Sequence, residues 1–388
     1  MYLFFWNYDL MNFSNHIGII GSGISGLTLA YALKKIGIDV VLFERSKEVS
    51  EYGAGISISR NALKILDRLD LISLLREKSY QPKTVSWKYK NNEFHYTSTD
   101  VFTASRKNLI KVLYEEYIKL GGEILYDHEV CDITENGKVL HFTNKNNCNI
   151  KHIAACDGIK SSVRNKYFND SSDIKYSGFN AWRGIVKSNN TKVQFHLGAK
   201  THIVQYPINN ELDQSFVAIV KDKNWNKESW KQEGTIQNFY DEFPDAKEVI
   251  FLENQKVFKW GIFIRPPLNK IFRENMTLLG DSAHPMVPFM GQGGCMAIED
   301  AYTFAQLLKK LNLDFATAQY LYNKIRVNRN NKIQKMSMRQ ARLNHIENHF
   351  IASVRNTLMK NTNVISNRAN IIWNYDAHEH IESELRKL

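Results

Sequence analysis

From Gly21 to Gly26 the chain reads Gly-Ser-Gly-Ile-Ser-Gly, and the pattern on either side of this segment constrains the fold more than any other feature. His16 to Ile20 is a short apolar run that Gly21 ends. Apolar residues then recur at helical spacing from Ile24 to Ile36, through Leu27, Ala30, Tyr31 and Ala32, until Gly37 stops them. Asp39 to Glu44 reads as a second buried strand. Strand, glycine turn, helix and strand make a β-α-β unit with a right-handed crossover, the opening of a doubly wound parallel sheet. Gly21 permits the tight turn, Gly23 lets the backbone approach a pyrophosphate, and Gly26 allows close helix–strand packing. The helix start at Ile24 and Ser25 offers its amides to an anion. Glu44, ending the next strand, suits a ribose diol. The motif alone does not separate FAD from NAD.

A second signal lies near the other end. A buried strand at Met276 to Leu279 runs into Gly280, Asp281, Ser282, Ala283, His284 and Pro285, then Pro288, then Gly291-Gln292-Gly293-Gly294 opening a helix to Leu311. Asp281 at a strand end suits a ribityl or ribose hydroxyl. The partial positive charge at the Gly293–Gly294 helix end suits the N1/C2 edge of an anionic reduced flavin. Between the two signals, Lys83 to Thr97 reads as an antiparallel hairpin around Asn91-Asn92, and Arg106 to Leu120 as a helix stopped by Gly121-Gly122. Glu123 to Ala155 holds several short strands. Tyr176 to Ile264 is strand- and turn-rich and predicts a separate antiparallel sheet, closed by Arg265-Pro266-Pro267.

Four segments, GSGISGLTLAYALKKIGIDVVLFER, YGAGISISRNALKIL, ACDGIKSSVR and LLGDSAHPMVPFMGQGGCMAIEDAYTFAQLL, resemble in order the signature blocks of the class A FAD-dependent monooxygenases. That family includes p-hydroxybenzoate, salicylate, urate and quinolone hydroxylases and zeaxanthin epoxidase. The resemblance covers about residues 16 to 330. It implies an α/β fold: a three-layer, Rossmann-like FAD domain with an inserted antiparallel-sheet substrate domain and C-terminal helices. The expected division is 11–80, 100–175 and 265–315 for FAD, 81–99 and 176–264 for substrate, and 316–388 as a helical region. Residue by residue it implies that Gly21, Gly23, Ile24, Ser25, Gly26, Glu44 and Arg45 hold the AMP half of FAD. Gly55 stands in the second block. Arg106 would contact the phosphate-ribityl region, and Asp157 and Gly158, with Arg164 closing their block, would serve FAD and NAD(P)H. Gly280 and Asp281 would hold the ribityl chain, and Pro288, Gly291, Gln292, Gly293 and Gly294 would line the isoalloxazine. Cys156 departs from the alanine usual before Asp157. The family's substrate-binding arginine and tyrosine set for urate or p-hydroxybenzoate has no clear match, so neither substrate carries over.

The implied reaction is NAD(P)H-driven reduction of FAD, addition of O2 at C4a, and transfer of OH from the hydroperoxide to a small aromatic, heteroaromatic or conjugated substrate, by hydroxylation or epoxidation. NADPH and NADH both remain open. A second nucleotide fingerprint is absent, which fits transient NAD(P)H binding. The chemistry asks for positioning and water exclusion rather than a triad or metal, so no general base is assigned. The substrate-side candidates are Arg183, Gln205 and Tyr206; His196, His202 and His284 read as structural histidines. A non-oxygenating FAD oxidoreductase and a flavoprotein that only sequesters a ligand stand as alternatives. A halogenase is disfavoured because no Trp-x-Trp-x-Ile-Pro run occurs.

Cys131, Cys148, Cys156 and Cys295 form no Cys-x-x-Cys pair, which speaks against a zinc site or a disulfide framework and for a reducing cytoplasm. The apolar opening, residues 1–10, carries Asp9 and is too short to span a bilayer, so no integral membrane span is expected; Met11 could equally be a start. A charge of +11, from 51 Lys and Arg against 40 Asp and Glu, raises nucleic acid or an anionic membrane as partners. The basic residues are read as spread among acids, with Arg326 to Arg342 an amphipathic helix with one solvated face, so no nucleic-acid partner is expected. A monomer or homodimer is expected.

Overall fold

In the computed structural model, residues 10–49, 55–90, 92–168, 173–222, 233–250, 252 and 255–388 are described. The first strand, Leu10–Ile20, lies at the centre of an eight-stranded sheet. It pairs in parallel with Asn147–Ala155 on one side and Val40–Phe43 on the other, and the parallel ladder continues to Met276–Leu278 and Glu123–Leu125. Such strands are covered on both faces, which is why Val40–Phe43 is buried at every position. The helix Ile24–Lys35 packs against both Arg106–Lys119 and Gly293–Lys310 beside this sheet, with its Leu27, Ala30 and Leu33 at zero exposure.

The strand begins earlier than the His16 to Ile20 run suggests. Leu10 to Phe13 continue the ladder opposite Asn147 to Ile150, with an irregularity in register between Phe13 and Ile17. Tertiary pairing decides this, since Asn12, Ser14 and Asn15 break the apolar pattern. Residues 1–9 of the apolar opening lie outside the described residues.

A second eight-stranded sheet runs Glu233–Gly234, Val257–Ile264, Lys175–Lys187, Asp213–Lys221, Thr201–Pro207, Val193–Leu197, Thr84–Tyr89, Asn92–Ser98. It is antiparallel except where Val193–Leu197 meets Thr84–Tyr89 in parallel. That exception follows from the chain path, because the hairpin arrives from a distant part of the sequence and no tight turn fixes its direction. A small three-stranded sheet, Gly55–Ile58, Phe102–Ser105 and Ser79–Tyr80, stands between the two large ones. The helices Phe315–Asn344, His349–Asn361, Val364–Trp373 and Ala377–Leu385 complete the chain.

Candidate cofactor and substrate site

The glycine turn does its expected work through two different constraints. Gly21 has φ +98°, and a Cβ there would sit 2.7 Å from the Cys156 carbonyl oxygen; at Gly26 a Cβ would sit 1.9 Å from the Gly21 oxygen. A Cβ at Gly23 would meet nothing within 4 Å, so that position borders open space at the helix start. The helix beginning at Ile24 has no side-chain cap, and neither has Gly293–Lys310, whereas Ser105, Ser161, Asp314 and Asn348 each cap their own helices. Uncapped amides at both helix starts suit an anionic ligand.

Glu44 accepts hydrogen bonds from Ser22 N (2.9 Å), Ser22 Oγ (2.6 Å) and Ser46 N (2.9 Å). Burial would raise its carboxyl, but these donors outweigh it and hold the pKa below the ordinary carboxylate value. Arg45 points to solvent beside it.

The Asp281 loop converges on the same place. A Cβ on Gly280, which has φ +64°, would come within 3.0 Å of Ser25 Cβ, so this loop lies directly over the first helix turn. Asp281 is reached by solvent, yet desolvation is the largest influence on its carboxyl and raises its pKa, opposed by His284 and Arg106. Accessible surface deep among protein atoms is the wall of a recess, and Arg106 lies close enough to act on it. Asp157 stands beside Gly21. Its Oδ2 accepts Val163 N at 3.4 Å, while Oδ1 is buried with no hydrogen-bond partner among the described residues. The residues present therefore suit a dinucleotide with hydroxyl and phosphate groups.

The chain continues this recess toward the second sheet. Gly294 and Gly291 approach Ile56 and Ser57 of the small sheet, and a Cβ on Gly55 would clash with Tyr206 and Ser215 at 2.7 and 2.6 Å. Gly55 is thus required by packing between sheets, whatever the cofactor does. Pro288 and Gly291 are exposed. The Gln292 side chain is not: it donates to Ser59 Oγ at 3.0 Å and accepts from Asn61 Nδ2 at 3.2 Å, leaving only its backbone for a ligand.

Arg164 requires a correction. It is fully buried and donates to the carbonyls of Ala283 (2.9 Å), Ser282 (3.3 Å) and Pro266 (2.9 Å). A guanidinium so placed braces the loop after Asp281 from below and does not face an incoming nicotinamide.

Gln205 is corrected by strand alternation. Tyr206 pairs with Ser215 and Gln205 with Phe216. Phe216 belongs to the cluster packed under Phe239 and Trp182, so Gln205 points to the far face of the sheet. The near face, packed on Val287 and Phe289 of the loop before Gly291, carries Ala181, Arg183, Val217, Ile219 and Trp260. Arg183 stacks its guanidinium 4.7 Å from the Trp260 ring centre. Burial pushes the Tyr206 hydroxyl up to about 12.

Two features escaped the sequence reading. Buried Glu299 and Asp300 meet Arg326, Arg329 and His284: Arg326 donates to Glu299 and Asp300 at 2.6 Å each, Arg329 grips Glu299 at 2.7 Å, and His284 Nε2 pairs with Asp300. Asp300 also accepts Gly280 N at 2.9 Å, so this network fixes the Asp281 turn. Burial would raise both carboxyls, but the neighbouring cations hold them low. The available signal was the acidic pair in an otherwise apolar helix. The other feature is the partner of His202, which the sequence reads as a structural histidine: its Nδ1 lies 2.9 Å from His345 Nε2, both rings against Phe289. His345 Nδ1 donates to Ala341 O at 2.7 Å, so its Nε2 accepts from His202. Burial lowers both pKa values, His345 to about 4. His196, on the far face, has neither ring nitrogen bonded among the described residues, and burial brings it to about 4.

A parallel sheet whose glycine turns and uncapped helix starts converge on one place, with a second sheet beside it, has the form of a nucleotide-binding fold. The family model described as FAD binding domain matches residues 15–321. The chain belongs to this family and is a class A FAD-dependent monooxygenase. It is 28% identical over 356 residues to 3-amino-4-hydroxybenzoate 2-monooxygenase PtmB3 of Streptomyces platensis, covering 85% of this chain and 88% of that protein. It is 26% identical over 382 residues to 3-hydroxybenzoate 6-hydroxylase of Klebsiella oxytoca, covering 92% and 95%. The structure of a salicylate hydroxylase substrate complex superposes with TM-score 0.81 at 23% identity, covering 96% and 97%. Klebsiella pneumoniae HpxO with FAD and uric acid superposes with TM-score 0.79 at 20% identity, covering 96% of each chain.

Proposed function

We propose that the chain takes NADPH or NADH as reductant and hydroxylates a small aromatic ring held between Pro288–Gly291 and the near face of the second sheet. The observation that carries this reading is the sheet's division into faces, which puts Arg183, Tyr206 and Trp260 on the side packed over the flavin loop. Bound FAD, once reduced, supplies the activation of O2 and the delivery of one oxygen atom. The protein's own residues bind, orient and exclude water. Gly21 to Gly26, with Glu44 and Arg45, would take the adenosine and pyrophosphate, and Arg106 and Asp281 the ribityl region. The backbone at Gly291 to Gly294 would meet the ring system. Residues 11–80, 100–175 and 265–315 would then serve the cofactor and 81–99 with 176–264 the substrate. Asp157, half-buried beside Gly21 with one carboxylate oxygen unpartnered among the described residues, would assist reduction by the nicotinamide. Arg183 gives the near face a cation, which favours a ring bearing an anionic group; the similar proteins named for hydroxybenzoates support that class.

The test is a screen of aromatic acids for stimulated NAD(P)H oxidation, followed by isotopically labelled O2. One labelled oxygen atom in the product is expected. Label recovered only in peroxide, for every stimulating compound, overturns the reading in favour of an oxidase.

A further inference from the structure

We propose that the C-terminal helices form a docking surface for an anionic lipid bilayer. Residues 315–375 contain ten Lys or Arg and a single acid, Glu347, so they hold nine of the chain's eleven net positive charges. The stretch includes Arg326 to Arg342, read from the sequence as an amphipathic helix with one solvated face. Some of the ten are used internally: Lys324 pairs with Glu384 at 2.6 Å, and Arg326 and Arg329 hold Glu299 and Asp300. Lys332, Lys335, Arg339, Arg342 and Arg368 have no ion-pair partner among the described residues, yet all five line one open cleft of about 930 Å³ with Met336. The cleft lies between the Phe315–Asn344 and Val364–Trp373 helices. Arg368 is held below its ordinary value by burial and then by the Arg339 charge, as expected where like charges gather without a counterion.

An apolar stripe adjoins this charge. Leu343 and Ile371 line the cleft and are themselves exposed. The His349–Asn361 helix buries Ala352 and Arg355 against the protein and leaves Phe350 (77% exposed), Ile351, Val354 and Leu358 in solvent. Their spacing puts them on one helical face. Arg355 donates to Leu343 O at 2.8 Å, which ties the stripe's helix to the cleft rim.

The combination selects the occupant. A second copy using this face would bring the same excess positive charge against itself, and a nucleic acid would meet the cations but leave the stripe in water. An anionic bilayer meets both, with phosphates at the cleft and acyl chains under the stripe. No helix among the described residues is long and apolar enough to cross a membrane, so the contact is interfacial.

The experiment sediments FAD-loaded protein with phosphatidylcholine vesicles, with and without phosphatidylglycerol. Binding roughly tenfold or more tighter to the anionic vesicles is expected, weakening as salt is added. Lys335→Glu with Arg339→Glu should lower it about tenfold or more, and Phe350→Ser with Leu358→Ser should also weaken it, both at unchanged flavin absorbance. Should either variant lose flavin, Lys332→Glu, an exposed change on the same cleft, replaces it. Equal binding to both vesicle types, or wild-type binding by the folded variants, overturns the proposal. So does retention of oligonucleotide or inorganic phosphate without vesicles, or a dimer by light scattering that Phe350→Ser dissolves.

Discussion

In the parallel sheet around Leu10–Ile20 the groups offered to a ligand are mostly backbone: turns at Gly21 and Gly280, amides at two uncapped helix starts, and the carboxylates Glu44 and Asp281 at strand ends. In the sheet built on Lys175–Lys187 they are side chains, and which of them can reach a ligand depends on which face each occupies. Backbone sites need glycine at fixed spacing, so they write themselves into local sequence. Side-chain sites on a sheet need only the right parity, and adjacent residues such as Gln205 and Tyr206 have opposite fates.

The largest expected effect tests what holds the backbone site in place. Arg326→Met leaves Glu299 and Asp300 short of a buried cation, and chemical denaturation should show a loss of about 3–5 kcal/mol. A loss near zero would mean that Arg329 and His284 suffice. Asp281→Ala should weaken FAD by roughly 1.5–3 kcal/mol, about tenfold to a hundredfold, in a flavin fluorescence titration. The glycines separate packing from ligand approach. Gly26→Ala should destabilise the flavin-free protein by about 1–3 kcal/mol or more, since its Cβ meets the Gly21 oxygen at 1.9 Å. Gly23→Ala, with open space around its Cβ, should leave the flavin-free melt unchanged and lower FAD affinity. Equal melts for both variants would break the distinction.

On the side-chain sheet, Arg183→Met should raise KM for the stimulating substrate roughly tenfold, while Gln205→Leu leaves KM unchanged. The reverse pattern would invert the assignment of faces. The smallest effect concerns His202 and His345. Their folded pKa values lie below the unfolded value of 6.5, so the unfolded chain binds protons first as pH falls. Their contribution to stability is complete above about 6.5 and is lost progressively toward pH 4. Thermal melts across that window should show a shallower decline for His202→Gln with His345→Gln than for the wild-type chain.

The order of elements, the parallel nucleotide-binding unit, the two glycine turns and the family were legible in the residues themselves. The elements and turns rest on local backbone geometry or on hydrophobic period, which a linear pattern carries, and the family rests on the resemblance of four segments to its signature blocks. The early start of the first strand, the parallel pairing of Val193–Leu197 with Thr84–Tyr89, the inward turn of Arg164 and Gln292, and the near face of the second sheet were decided by tertiary structure. So were the arginine partners of Glu299 and Asp300, which lie 26 to 30 residues away in the next helix. A charged side chain has the same letters whether it is buried against a carboxylate, braced on carbonyls or left facing an open cleft. Only the packing around it says which.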